Sequence, residues 1–380
     1  MGLLRGSPLT PWLVESIVQL GASVPFAEAA RLLAHFTGVR VGAETVRRLT
    51  EAAGAAQVAR ETQAVVDLAR TLPDGPPGPA VQLLSVDGAM VPLRAGVWAE
   101  VKTLAVGEVV AGEGGPRTTA LSYFSRQTDA TMVGELATVE TYRRGTTTAG
   151  TVVAVADGAA WCQGFVDLHR PDAVRVLDLP HAIEHLGRAA QAVFGPGTAA
   201  GSAWLGIQAH ALRHGAEATV LTALADLAAT ADLDPIARDV VTGVGGYLAA
   251  RRPQIRYQAF AAAGYPLGSG CVESANKLVV EARLKGAGMH WARPNVDPML
   301  ALRTLLANDR WAAEWPALWR RLRSDRRPRR VVPTPPPRPT PPPAAPGAPS
   351  APRPRAKLVV NGRPTADHPW KRTFALRAKP

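Results

Sequence analysis

Two apolar stretches that end in the same dipeptide constrain this chain more than any other feature. Residues 83–88 read LLSVDG and residues 153–158 read VAVADG, so each stretch leads into an Asp-Gly pair. Short apolar runs bounded by turn residues are typical of buried strands. Asp-Gly is also a common turn signal, so either pair alone fits an ordinary turn equally well.

The pattern around these pairs predicts a mixed α/β region. Four strands that form an antiparallel meander come first, then a helix with apolar residues at helical spacing, and then two further strands. The strands are expected at 81–86, 90–93, 98–106, 118–124, 151–156 and 174–177, and the helix at 129–143. In the ribonuclease-H topology, the first strand and the strand after the helix lie side by side and parallel. Asp87 and Asp157 would then meet at one edge of the sheet.

Two neighbouring carboxylates repel each other unless a cation lies between them. Oxygen ligands of this type suit Mg²⁺ or Mn²⁺. The best candidate for a third carboxylate is Glu273, because the preceding run Gly268-Ser269-Gly270 is a flexible entry to a helix. The alternative is a structural glutamate, since the helix dipole favours an acidic residue in the first turn.

Cations and an aromatic residue follow this glutamate. Asn276 and Lys277 lie three and four residues later, on the same helical face. Arg283, Lys285 and Trp291 come next, with glycines between them. Glycines allow a backbone to approach a phosphate closely, and tryptophan can stack on an unpaired base. Lys277, Arg283, Lys285 and Trp291 are therefore candidates for DNA binding.

The N-terminal region is expected to be helical. Residues 9–53 predict three short helices with a Gly-containing turn before the third, which carries Arg47 and Arg48. This is the outline of a helix-turn-helix with a DNA-reading third helix. A small helical bundle with a solvated Arg-Arg face is the alternative. A further helix is expected over 54–70, followed by a proline-rich linker.

The positive charge is concentrated at the C-terminal end. The chain of 380 residues has a formal charge of +12, and residues 311–380 hold 16 Lys/Arg against 3 Asp/Glu. Because residues 328–354 contain 13 prolines, we expect 328–380 to be a disordered basic tail. Such a tail fits a polyanionic partner, although it is also a common solubilising feature.

Several classes of protein are not expected. Two cysteines, Cys162 and Cys271, cannot form a disulfide framework or a structural zinc site by themselves. No apolar run reaches the roughly 18 residues of a membrane span, and no secretory signal is visible. The absence of a Walker motif argues against a nucleotide requirement. A cytoplasmic, nucleoid-associated protein is the expectation.

Four segments resemble, in the expected order, bacterial insertion-sequence transposases of the Kra type, which are relatives of the Mutator group. The first-aspartate region is similar to residues 85–109, the second-aspartate region to 152–165, an Asp-x-x-His element to 176–186 and the glutamate helix to 264–291. The likeness covers about residues 10–310.

The resemblance implies a ribonuclease-H-like mixed sheet with an Asp87, Asp157 and Glu273 triad and a helical insertion. It also implies that Asp178 and His181 orient the triad or contact flanking DNA, where the residues alone indicate an ordinary helix N-cap with a nearby histidine. The implied regions are a helix-turn-helix and linker helix at 9–70, the first part of the core at 80–178, the insertion at 179–263, the glutamate helix and the next helix at 264–310, and the tail at 328–380.

The implied activity is DNA transposition with two Mg²⁺ or Mn²⁺ ions. Asp87 would bridge the ions, Asp157 would bind one and Glu273 the other. Water would release a 3′-hydroxyl at the element end, and that hydroxyl would attack target DNA. The partners would be double-stranded DNA, both element ends and target, and further copies of the chain on DNA. The alternatives are a nuclease of the same fold that does not join ends, and a catalytically inactive DNA-binding derivative.

Overall fold

The structure, a computed structural model, describes residues 9–71, 73–325, 359–360 and 363–364. The chain divides into two compact units, residues 1–327 and 328–380. Within the described residues, the first unit contains every helix and a five-stranded mixed sheet. The prediction of a mixed α/β chain is therefore confirmed.

Three helices precede the sheet: α1 Pro11–Ser23, α2 Phe26–Thr37 and α3 Ala43–Thr71. The Thr10 side chain caps α1 by accepting a hydrogen bond from the Leu13 amide. Gly38, at φ 72°, ends α2 in the left-handed conformation that glycine adopts without strain. The expected third helix and the expected helix over 54–70 are one continuous helix, because no proline interrupts the run and Gly54 keeps the helical conformation.

The five strands of the sheet are β1 Val81–Pro92, β2 Trp98–Val110, β3 Arg117–Arg126, β4 Thr151–Ala156 and β5 Val174–Leu177. They are arranged in the order β3-β2-β1-β4-β5. β1 pairs antiparallel with β2, and β2 with β3, whereas β1, β4 and β5 are parallel to one another. The parallel register joins Val81 to Thr151 and Ser85 to Val155.

The first Asp-Gly pair does not form a turn. Asp87 and Gly88 lie inside β1, which is continuous to Pro92 because β2 pairs with it along this whole length. The expected separate strand over 90–93 is therefore the second half of β1. The second pair does end its strand, and Gly158 turns the chain at φ 79°.

Helices cover both faces of the sheet. One face packs on α4 Ala130–Arg143 and α5 Ala160–His169. The other face packs on a helical region, residues 179–263, through a core that includes Leu83, Val155 and Leu186. The helices of this region are α6 Leu179–Phe194, α7 Ala199–Arg213, α8 Glu217–Ala228, α9 Pro235–Ala250 and α10 Tyr257–Ala262.

The chain returns to the sheet at α11 Gly270–Ala275. A π-helical turn, Asn276–Glu281, and the short α12 Ala282–Leu284 continue this helix, and α13 Val296–Ala307 and α14 Trp311–Asp325 follow. These helices share one hydrophobic core with α1, α2 and α3 and with the outer half of the β1–β2 hairpin. The N-terminal helices are therefore packed against the segment that carries Glu273.

In the second unit, β6 Val359–Val360 pairs antiparallel with β7 Arg363–Pro364. The rest of the expected basic tail over 328–380 lies outside the described residues. Among the helices that are described, none is long and apolar enough to span a bilayer.

Candidate active site

The three predicted carboxylates line one cleft at the edge of the sheet. Asp87 lies two residues beyond the last position at which β1 pairs with β4, and Asp157 directly follows β4, so the parallel register brings them to the same edge. Glu273 lies in the first turn of α11. The cleft has a volume of about 330 Å³, and its lining also includes Asp178 and His181.

The Asp87 carboxylate is held by two donors. Its Oδ1 accepts from the Gly88 amide at 2.7 Å, and its Oδ2 accepts from Asn276 Nδ2 at 2.8 Å. Burial raises the pKa of Asp87, and the negative charges of Asp157 and Glu273 raise it further, against the lowering effect of the two hydrogen bonds. Asp157 and Glu273 are therefore close enough for their charges to act on Asp87.

The helical region contributes the groups that hold Asp157. The Tyr247 hydroxyl, from α9, donates to the Asp157 carbonyl at 2.6 Å, and Arg251 donates to the Gly158 carbonyl at 2.8 Å. A Cβ on Gly158 would lie 2.7 Å from Arg251 Nε and 2.8 Å from the Tyr247 hydroxyl. The positive φ of Gly158 therefore favours glycine, and any larger residue would also displace the Arg251 and Tyr247 side chains.

The buried Cys162 thiol contacts the carboxylate of Asp157. Asp157 Oδ1 accepts from the Ala159 amide at 2.9 Å and from Cys162 Sγ at 3.4 Å. Burial raises the pKa of the Cys162 thiol, and the neighbouring Asp157 charge raises it further. Cys162 therefore stays protonated and acts as a donor, so Asp157 is held through one oxygen.

Asp178 connects the helical region to the glutamate helix. This buried carboxylate caps α6 by accepting from the His181 amide at 2.9 Å, and it also accepts from the Ser269 amide at 2.7 Å. The Ser269 hydroxyl then donates to Glu273 Oε1 at 3.0 Å. Asp178 therefore caps α6 and, through its other oxygen, also holds Ser269, the residue that contacts Glu273.

The two acceptor positions of Asp178 lead to a prediction. Asparagine caps helices as well as aspartate does, but in Asp178→Asn one of the two amide donors would face the new NH₂ group. We expect the free energy of unfolding to fall by about 1–3 kcal/mol, the usual cost of leaving a buried donor unsatisfied.

Urea denaturation of the full chain measures this loss, and Asp234→Asn is the matched control. Asp234 caps α9 through a single hydrogen bond, from the Ala237 amide at 3.0 Å, so asparagine can replace it without loss. Equal effects of the two substitutions would show that the Ser269 contact contributes nothing.

His181 lines the cleft as part of an aromatic cluster. Its Nε2 lies 3.2 Å from Nε2 of His185, and the His185 ring is stacked on Tyr247 with the ring centroids 4.0 Å apart. Burial is the main cause that lowers the pKa of His185 to about 4. The cluster therefore links His181 to the tyrosine that holds the Asp157 backbone.

The predicted DNA-binding residues divide into exposed and buried ones. Arg48 and Lys277 are exposed and have no ion-pair partner in the described part of the chain, whereas Lys285 pairs with Glu281 at 2.7 Å. Arg47 is half-exposed and is held by Glu44 and Glu51 on its own helix.

Arg283 and Trp291 do not lie on a surface. Arg283 is 2% exposed, donates to the Gly21 carbonyl and packs its guanidinium on the rings of Phe26 and Trp291. Trp291 is 7% exposed, and its indole N–H donates to the Leu284 carbonyl. Their assignment to DNA binding is corrected, because both side chains are used to pack α1 and α2 against the glutamate helix.

Four residues that contribute to the cleft were not predicted from the sequence. Asn276 was noted on the face of Glu273 but not assigned to the site. Tyr247 and Ser269 gave no signal, because each contacts an aspartate 90 or 91 residues away in the sequence. Cys162 gave none either, because its role depends on a contact with the Asp157 side chain that follows β4. The i, i+4 spacing of His181 and His185 was available but is common on helix faces.

The donor chemistry of the cleft suits a hard divalent cation, since all three side chains offer carboxylate oxygens. Across residues 9–71 and 73–325, no group of three His, Cys, Asp or Glu side chains is arranged to hold a metal ion. Glu273 is exposed and hydrogen bonded to Ser269, so its side chain has room to turn. The residues of the cleft fit a divalent cation by the type of their donor atoms.

Comparison of the sequence with known protein families gives no match, and no curated protein matches it either.

Proposed function

We propose that this chain is a ribonuclease-H-like DNA transposase that cleaves element ends and joins their 3′-hydroxyls to target DNA. The observation that carries the proposal is the cleft lined by Asp87, just past the parallel-paired part of β1, by Asp157 at the end of β4, and by Glu273 in the first turn of α11. The strand order β3-β2-β1-β4-β5, with its first three strands antiparallel, is compatible with that fold.

In this proposal, Asp87, Asp157 and Glu273 hold Mg²⁺ or Mn²⁺. Bound divalent ions would polarise the scissile phosphate and lower the pKa of an attacking water. The chain itself fixes the carboxylates, through Asn276 for Asp87 and through Cys162 and the Ala159 amide for Asp157. Asp178 and Ser269 orient Glu273, and strand transfer exchanges one phosphodiester for another without an external energy source.

The experiment that tests the proposal uses the full chain with Mg²⁺ or Mn²⁺ and labelled DNA from either side of its own gene. Labelled ends joined covalently to a plasmid support transposition. Metal-dependent cuts without joined products indicate the nuclease, and binding without cleavage indicates an inactive derivative. Either of these results contradicts the proposal as stated.

DNA binding is proposed for α3 and for the exposed cations Lys277 and Lys285, with further copies of the chain assembling on the DNA. The contacts around α3 distinguish its two arginines. Arg47 is neutralised by Glu44 at 2.5 Å and by Glu51 at 2.7 Å, whereas Arg48 is exposed without an ion-pair partner in the described residues.

We therefore expect Arg48→Ala to weaken DNA binding more than Arg47→Ala does. Loss of one phosphate contact should reduce the slope of log affinity against log salt by about 0.9. Titration of labelled duplex at several salt concentrations measures this slope. Arg31→Ala on α2, whose arginine pairs with Glu28, is the control, and a slope unchanged by Arg48→Ala would remove α3 from the interface.

A further inference from the structure

The glutamate helix contacts the first aspartate directly through one amide. Asn276 lies three residues after Glu273, at the first position of the π-helical turn Asn276–Glu281. Its Nδ2 donates to Asp87 Oδ2 at 2.8 Å, across 189 residues of sequence. π-helical turns of this kind frequently occur at functional sites. Asn276 is thus the single side chain of the glutamate helix that is hydrogen bonded to the first aspartate among the described residues.

The other end of the same amide has no partner. Asn276 is 5% exposed, and its Oδ1 is buried without a hydrogen-bond partner in the described part of the chain. Burying an unsatisfied carbonyl is unfavourable for folding. If position 276 had only a packing role, leucine would fill it as well, because leucine has nearly the same shape and no polar atom. The asparagine therefore gains its one hydrogen bond to Asp87 at the expense of stability.

The direction of the amide also carries information. If the side chain were turned over, Oδ1 would face the Asp87 carboxylate, and two acceptors would repel each other. Only Nδ2 can face an ionised Asp87, so the observed orientation matches the carboxylate form that binds a cation. The second donor, the Gly88 amide, holds the other oxygen. Together they fix the plane of the carboxylate.

We infer that Asn276 is a positioning residue that orients the Asp87 carboxylate for a divalent cation and couples its placement to that of Glu273. This inference rests on the proposed function, because it gives the contact a role in metal binding. Groups that orient metal-binding residues typically change metal affinity by 10–100-fold when they are removed. Asn276 should behave in this way although it binds no metal itself.

The test compares Mn²⁺ affinity and thermal stability in the full chain. Isothermal titration with Mn²⁺ should show 10–100-fold weaker binding for Asn276→Leu than for the unsubstituted protein. The unfolding midpoint of the metal-free protein, measured on the same samples, separates this loss of affinity from misfolding, because the substitution removes a buried unsatisfied carbonyl together with one donor to Asp87. Asn276→Ala, which requires no additional space, is the second variant and should show the same loss of affinity.

Thr304→Val is the matched control. Thr304 is 5% exposed, its Oγ1 is also buried without a partner, and it does not line the cleft. It should gain or keep stability and bind Mn²⁺ as the unsubstituted protein does. Equal affinity in Asn276→Leu and Thr304→Val would overturn the inference alone. An unsubstituted protein that binds no Mn²⁺ would overturn the metal-dependent function, and the inference with it.

A side-chain exchange tests the contact without any metal. Asn276→Asp places a carboxylate against Asp87 and should lower the unfolding midpoint of the metal-free protein. Adding Asp87→Asn restores one donor and one acceptor, so the double variant should recover that midpoint while remaining inactive. Contacting residues show such non-additivity, whereas distant ones do not. Simple addition of the two effects would overturn the contact on which the inference is built.

Discussion

Replacing any one carboxylate of the triad by its amide is expected to abolish both cleavage and joining while DNA binding is retained. Asp87→Asn, Asp157→Asn and Glu273→Gln each preserve the side-chain shape but remove the charge that would hold a cation. Groups that act as a unit lose about 10⁴-fold or more when one of them is removed. A labelled-end joining assay with the purified variants measures the effect, and a mobility shift on the same DNA measures binding.

Stability measurements separate this loss of activity from unfolding. Because burial and two neighbouring charges raise the pKa of Asp87, its ionised form destabilises the folded state near neutral pH, and this cost disappears as the pH falls through that pKa. The unfolding midpoint of Asp87→Asn at neutral pH should therefore be unchanged or higher. Asp226→Asn, at an exposed position on α8, is the control and should remain fully active. Near-normal joining by a triad variant would remove that residue from the assignment.

Gly54→Ala is expected to destabilise the protein strongly, although alanine favours helices over glycine. Gly54 lies inside α3, where an added Cβ would be 2.2 Å from the carbonyl oxygen of Pro298 and 2.5 Å from its carbonyl carbon. The obstructing atoms belong to the backbone of α13, so no side chain can rotate away. We expect a loss of about 3 kcal/mol in the free energy of unfolding, the upper part of the range for overpacking.

The same glycine-to-alanine substitution at Gly246 is expected to change stability in the opposite direction. Gly246 lies inside α9, is exposed, and has open space where a Cβ would be. Replacement there should stabilise the protein by about 0.5–1 kcal/mol, the usual preference of a helix for alanine. Guanidinium denaturation of both variants gives the two changes. Stabilisation by Gly54→Ala as well would mean that α3 and α13 are not in close contact at Gly54.

Local sequence patterns predicted the strands and helices well where a whole element shows a regular pattern of buried residues. The strand at 151–156 and the strand at 174–177 agree with β4 and β5. Local patterns failed at Asp87-Gly88, which was expected to end a strand. The turn signal was overridden there because β2 pairs with β1 past this point. The prediction of a short third helix and a separate helix over 54–70 was also wrong, because the two form the continuous α3.

Residue type was a weaker guide to the role of the cations. Arg283 and Lys285 are two residues apart in a segment that suggested a phosphate surface, yet Arg283 is 2% exposed and Lys285 is exposed. The difference depends on the position of α1 and α2, whose Gly21 carbonyl and Phe26 ring cover Arg283. Helical spacing cannot reveal which face a distant segment covers.

The sequence by itself determined the mixed α/β class, the two apolar strands that lead into Asp87 and Asp157, and the helix start that carries Glu273. These follow from short-range periodicity and from turn and helix-entry residues, which act within a few positions along the chain. Only the tertiary structure decided which groups hold them: Asn276 on Asp87, Tyr247 on the Asp157 carbonyl, and Asp178 on Ser269. The reason is that a buried polar group must find a donor or acceptor wherever packing supplies one, and here the partners are 90 to 189 residues away.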